Sequence, residues 1–173
     1  MLAYFIAEGR GAADRLLVDL ARDLHARGLN LAGVIQINRE KSADRHCNMD
    51  LVVLGHDHQV RISQDLGPLA RGCRLDPQGL ETAVGLVMAD LGRKPDLLLV
   101  NKFGKSESEG RGFRPCIAEA LVNDIPVLTA VTQGNRAAFL DFAGDIAQVL
   151  PANLPDLRDW ALLPKQSMTE QTG

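Results

Sequence analysis

Aromatic residues are scarce in this sequence: one tryptophan, one tyrosine and five phenylalanines among 173 residues. That scarcity disfavours single-stranded nucleic-acid binding, in which bases stack on aromatic faces. A surplus of positive charge is also missing. The formal net charge is −3, which excludes a generally basic nucleic-acid binder held by counterion release, so any anion site is local. No apolar run approaches the roughly 20 residues that span a bilayer, and the opening MLAYFIAEGRG is too short for the apolar core of a signal peptide. The chain therefore reads as cytoplasmic, without membrane insertion. Its three cysteines, Cys47, Cys73 and Cys116, form no CxxC pair, which argues against a disulfide framework and against a zinc ribbon.

What is present is an alternation of apolar runs and helical periodicities. LAYFIA (2–7) reads as a buried strand closed by the turn EGRG. In the next stretch Leu16, Leu17, Leu20, Ala21 and Leu24 recur at helical spacing, Asp19 and Asp23 fall opposite, and Gly28 stands where a helix ends. LNLAGVIQIN (29–38) is the second strand and completes a parallel strand–helix–strand unit. After a polar break, MDLVVLGHDHQVRIS (49–63) predicts an antiparallel hairpin with His56 and Asp57 at its tip. A glycine-rich loop over 64–77 ends in Asp76 and Pro77, an N-cap and first helical residue for a second helix.

PDLLLVNKFG (95–104) is the most apolar strand, as expected at the buried centre of a parallel sheet. A helix over 115–123, the strand IPVLTAV (125–131) and a short helix around 136–143 follow. The pattern predicts one doubly wound α/β domain over 1–150, mainly parallel, with helices on both faces and a small antiparallel excursion. Residues 151–173 form an extension, partly helical and then flexible.

Ligands of such a domain sit at the carboxyl ends of the parallel strands. One loop there, NKFGKSESEGRGFR (101–114), sets Lys102, Lys105, Arg111 and Arg114 against only Glu107 and Glu109. Gly104, Gly110 and Gly112 let backbone approach a ligand, Asn101 precedes the first lysine, and Pro115 opens a helix whose free N–H groups favour anions. Arginine forks and lysine point charges both suit an oxyanion. The plain alternative is a solvated surface loop. Arg74, from the preceding glycine-rich stretch, is a further candidate ligand, with the alternative that it only pairs with Asp76; Gln64 and Asp65 are secondary candidates.

The other loop, AEGRGAADRLL, stands where a P-loop would. Gly9 and Gly11 are in place with Arg10, but the GK[ST] triplet that reaches phosphates and magnesium is replaced by Ala13, Asp14 and Arg15. Asp14 would repel a phosphate. Magnesium-nucleotide hydrolysis then requires Arg10 or Arg15 to replace the lysine, with Asp65, Asp76 or Glu107 on the metal. His46, Cys47, His56, Asp57 and His58 match no metal-ligand spacing. Cys73 and Cys116 stand beside arginines, which lower a thiol pKa where the side chains are close.

RISQDLG, GCRLDP and VNKFGKSESEGRGFR with IPVLTAV together resemble the bacterial DUF2478 family, often encoded beside molybdenum-uptake or nitrogenase-cofactor genes; the resemblance extends to about Leu150. That family is similar in layout to THEP1-type nucleoside-triphosphatases, with a P-loop at the first turn and an acidic motif after a central strand. The resemblance implies a P-loop-like three-layer sandwich in which Asn101 to Lys105 replaces the acidic motif, with Glu107 near its last carboxylate. A magnesium-nucleotide site would thereby become a site for a bare anion. The family's gene context suggests molybdate or tungstate; phosphate, sulfate or a metal-free nucleotide satisfy the same charges.

The leading expectation is a non-enzymatic oxyanion-binding accessory protein. The alternatives are a divergent nucleotide-binding protein or hydrolase, and a regulatory partner of a transporter or cofactor-assembly protein. A homo-oligomer is neither required nor excluded.

Overall fold

A computed structural model describes residues 1–41, 46–56, 58–64 and 74–163, without the side chains of 39–41, 46–48, 58, 63, 64 and 74. The first strand, β1 (Leu2–Phe5), leads into α1 (Ala12–Ala26) and then β2 (Leu31–Lys41). Two antiparallel strands follow, β3 (His46–Val53) and β4 (His58–Arg61), and then a two-stranded ribbon of β5 (Ser63–Gln64) and β6 (Arg74–Leu75). The chain continues through α2 (Pro77–Leu91), β7 (Leu97–Phe103), α3 (Lys105–Ser108), α4 (Arg114–Val122), β8 (Val127–Val131) and α5 (Arg136–Ala143). It closes with β9 (Ala147–Val149) and α6 (Leu154–Ala161).

The sheet order is β4-β3-β2-β7-β8-β1-β9. All pairings from β2 to β9 are parallel, while β3 and β4 extend the sheet as an antiparallel hairpin. Helices cover both faces, which is the predicted three-layer α/β sandwich. β7 lies near the middle, and its residues 97–101 are all buried, which explains a nearly continuous apolar strand.

The two faces divide the core. On one, Leu17, Leu20, Ala21 and Leu24 of α1 pack with Leu97, Leu99, Leu157 and Trp160. On the other, α2, α4 and α5 bury Val87, Ile117 and Phe139 against Leu98, Val100 and Phe103. Asp76 caps α2, its carboxylate accepting from Gln78 N–H at 3.0 Å with Pro77 at the first helical position. α6 docks on α1 as part of this core.

Four features differ from the sequence expectation. β2 runs to Lys41 rather than Asn38, because the polar break is the outer end of a β2–β3 hairpin that pairs Lys41 with His46. Gln64 and Arg74 lie in a paired ribbon rather than in a loop. α3 forms inside the basic loop. β9 joins the sheet edge beside β1 although its three residues carry no strong apolar pattern.

β2 approaches β7 so closely at Gly33 that a Cβ there would lie 1.8 Å from the Leu99 carbonyl oxygen. The β2–β7 ladder ends at this Gly33–Leu99 pair. Beyond it β2 pairs only with β3, and the carboxyl ends of β2 and β7 border a crevice, the position in an open α/β sheet where ligands bind.

Candidate anion site

Asn101, near the end of β7, fills that crevice. Its carboxamide oxygen accepts from Gln36 N–H at 2.7 Å, replacing the lost ladder bond, and its amide nitrogen donates to Asp14 Oδ1 at 2.8 Å. The other Asp14 oxygen accepts from Asn38 at 2.8 Å, and Asn38 in turn accepts from Gln36 Nε2 at 2.8 Å. Asp14, Asn101, Gln36 and Asn38 thus close a ring of hydrogen bonds. Both polar atoms of Asn101 are engaged by the protein itself. Gln36 and Asn38 went unnoticed in the sequence, although two amides spaced i, i+2 at the carboxyl end of an apolar strand are a usable signal.

On the α1 side of this ring lies a cleft of about 750 Å³ lined by Arg10, Gly11, Asp14 and Arg15. Gly11 is the left-handed N-cap of α1, so Asp14 places a carboxylate in the first turn of that helix. Among the described residues the Arg15 guanidinium reaches the Arg10 carbonyl, at 3.4 Å.

On the α2 side lies a smaller cavity of about 280 Å³, lined by Asn101, Lys102, Gly104, Lys105, Ser106 and Glu107 and walled by apolar residues. Gln36 lines both spaces. Lys102 and Lys105 are exposed, and neither forms an ion pair among the described residues.

Glu107 organises the loop. It is buried, one carboxylate oxygen accepting from Gly104 N–H at 2.9 Å and the other from Phe113 N–H at 3.0 Å. Phe113 is the N-cap of α4, so the backbone donor expected to greet an oxyanion there holds the protein's own carboxylate. Pro115 sits one residue later in the helix than its sequence position suggested. Gly112 is required at this turn: its φ is +59°, and a Cβ would lie 2.2 Å from the Glu107 carboxylate.

The remaining basic residues of the loop turn elsewhere. Arg111 is exposed and paired with Glu109, beside Gly110 in a left-handed turn. Arg114 lies over the Phe142 ring, 4.7 Å from its centroid, with its guanidinium 3.4 Å from the Glu107 carbonyl oxygen. Lys102, Gly104, Lys105, Asn101 and Glu107 therefore line one cavity, whereas Arg111 and Arg114 do not, and the Gly9 to Arg15 loop meets this group through the Asp14–Asn101 hydrogen bond. Asp76 caps α2. The side chains of Arg74 and Gln64, and the whole of Asp65, lie outside the described residues, as do the side chains of His46, Cys47 and His58 and all of Asp57 and Cys73.

His56 is anchored: its Nε2 lies 2.7 Å from Asp90 Oδ1 at the end of α2. This pair borders a groove of about 830 Å³ toward the opposite edge of the sheet. Cys116 is buried, and desolvation, reinforced by Glu81, pushes its thiol up to about 12. The activating effect expected from a neighbouring arginine does not prevail. Among the described residues no helix is long and apolar enough to cross a membrane.

Residues 2–160 match the family described as protein of unknown function, DUF2478. Over 147 residues the chain is 35% identical to the molybdenum import ATP-binding protein ModC 2 of Bradyrhizobium diazoefficiens. That stretch is 85% of this chain but 16% of the relative, so the chain spans less than a fifth of that protein. Among solved structures, THEP1 from the hyperthermophile Aquifex aeolicus aligns with a TM-score of 0.60 at 12% identity, covering 88% of this chain and 89% of the other. At that identity the likeness shows the fold alone, a P-loop-like α/β sandwich.

Proposed function

The chain belongs to the DUF2478 family, and on that premise we propose that it is an accessory domain that binds a tetrahedral oxyanion group in molybdate or tungstate handling. The observation that carries this reading is the pair Lys102 and Lys105. Both line one cavity at the carboxyl edge of the sheet, neither forms an ion pair among the described residues, and the Glu107 carboxylate beside them is already held by two backbone N–H groups. Two ammonium groups thus face a single carboxylate among the described lining residues, which leaves the cavity net positive. Molybdate or tungstate is favoured because a relative sharing 35% identity over most of this chain is a molybdenum import protein.

Binding here needs no covalent chemistry. Nucleotide hydrolysis is not part of the proposal: the first helical turn of the P-loop-like element holds Asp14 in place of lysine and hydroxyl, and a carboxylate repels phosphate. A second reading, a regulatory domain of a transport ATPase, is favoured by the match to one segment of a much longer ATP-binding protein.

Thermal unfolding with molybdate, tungstate, sulfate, phosphate, ATP and Mg-ATP tests the first reading. A ligand of the native state raises the melting temperature with the logarithm of its concentration, by roughly 5–10 °C at about a hundred times Kd for a domain of this size. The expected result is stabilisation by tetrahedral dianions that disappears in Lys102→Glu/Lys105→Glu. Stabilisation by ATP only with magnesium, or by no anion at all, overturns it.

A further inference from the structure

The walls of the lysine cavity do not suit a bare oxyanion. Leu51, Ile62, Leu80 and Phe113 are buried there, and Leu75 stands at the surface, 39% exposed. A tetrahedral oxyanion stripped of water needs donors around it. Two backbone donors near this cavity, Gly104 N–H and Phe113 N–H, bind Glu107, and the Asn101 side-chain amide binds Asp14. The side-chain donors left for a ligand are the two lysine ammonium groups and the Ser106 hydroxyl, at the rim where both lysines are exposed. An anionic group belongs at that rim, partly hydrated, and the apolar interior requires an apolar occupant. Its volume, about 280 Å³, lies just below the roughly 300–1,000 Å³ range of ligand pockets and suits one ring system rather than an extended cofactor.

We infer that the anion taken by this cavity is carried on an apolar ring: an organic phosphate, carboxylate or oxometalate ester whose ring packs on Leu51, Leu80 and Phe113 while its charged group lies between Lys102 and Lys105. The inference rests on the reading of this cavity as an anion site and adds the class of molecule that enters it. A ring burying about 100 Å² of apolar surface is worth up to roughly a hundredfold in affinity, less where the walls must adjust.

Calorimetric titration of the whole chain with inorganic phosphate, molybdate, phenyl phosphate and 1-naphthyl phosphate tests this. The expected order is naphthyl above phenyl above the inorganic anions, with at least about a tenfold gap between naphthyl phosphate and molybdate. Lys102→Met/Lys105→Met, two surface changes that leave the core intact, should abolish the binding of all four. Leu75→Ser should weaken only the ring-bearing pair. If molybdate or phosphate binds as tightly as naphthyl phosphate and depends on the lysines, the inference falls while the anion-site reading stands. If naphthyl phosphate binds the lysine variant unchanged, the ring binds elsewhere and the inference falls. If the parent binds none of the four, both fall.

Discussion

Asn101 donates its amide hydrogen to Asp14 across 2.8 Å, tying the carboxyl end of β7 to the first turn of α1. In a nucleotide-hydrolysing P-loop protein this region handles phosphate and magnesium; here a side-chain carboxylate and three amides satisfy one another. The anion near each helix start flanking the crevice belongs to the protein: Asp14 at α1 and Glu107 at α4. Charge for an external ligand is left to Lys102 and Lys105, away from both helix starts.

Removing the Asp14 carboxylate leaves the amide of buried Asn101 without its acceptor, while the exposed Asn38 amide can turn to water. Asp14→Ala should therefore cost about 1–3 kcal/mol, seen as a melting temperature lower by roughly 3–10 °C. Asn101→Asp is the sharper test, because it keeps the acceptor for Gln36 N–H but sets two carboxylates face to face. Its destabilisation should be large near neutral pH and shrink on acidification, since protonating either acid removes the repulsion. An Asn101→Asp protein as stable as the parent at neutral pH would refute the ring as a structural element.

Glu107 and Gly112 should behave as one unit. Glu107→Ala leaves Gly104 N–H and Phe113 N–H unsatisfied and should cost about 3 kcal/mol. Glu107→Gln should rescue only part, since an amide oxygen accepts for one donor while the NH₂ opposes the other. Gly112→Ala meets both a positive φ and the Glu107 carboxylate, and should cost more than about 2 kcal/mol. In the double variant Glu107→Ala/Gly112→Ala the steric part disappears, so the two losses should be less than additive by denaturant titration.

Local signals explain which parts of the fold were legible. The apolar run of β7, the Asp76–Pro77 start of α2 and the spacing of Leu17, Leu20 and Leu24 state their roles within a few residues. β9 was not legible, because three residues become a strand only by pairing with β1, some 145 positions earlier. In the site, the charges of loop 101–114 were visible but their directions were not. The single turn of α3 redirects the chain between Lys105 and Arg111, sending one to the cavity and the other to Glu109. Glu107 read as a secondary candidate ligand, for magnesium, since only the folded turn shows that two backbone donors enclose its carboxylate.

Trp160 gives a test of where the folded domain ends. With Leu157 it packs among Leu17, Leu20 and Leu24, beyond the boundary at residue 150 suggested by composition. Trp160→Ala should cost about 3–5 kcal/mol, and truncation after residue 150 should cost at least as much because Leu157 is lost too. As the sole tryptophan, Trp160 reports its own environment: its emission should shift to the red in the same cooperative transition that far-ultraviolet circular dichroism follows. A red-shifted tryptophan in the native protein would show α6 undocked.

Cys116 supplies the pH prediction. Its thiol is pushed from 9.0 to about 12, first by desolvation and then by Glu81, so the folded state favours the protonated form. The unfolded chain loses this proton first as pH rises past about 9, binding fewer protons than the fold, so the contribution to stability is complete below about 9 and is lost progressively towards about 12. Cys116→Ala should flatten the alkaline fall in stability. At about pH 8 the native thiol should also resist iodoacetamide, because the thiolate is the nucleophile, and peptide mass mapping separates it from Cys47 and Cys73. Alkylation of Cys116 in native protein at the rate of the denatured chain would overturn the assignment and reopen it as a reactive thiol.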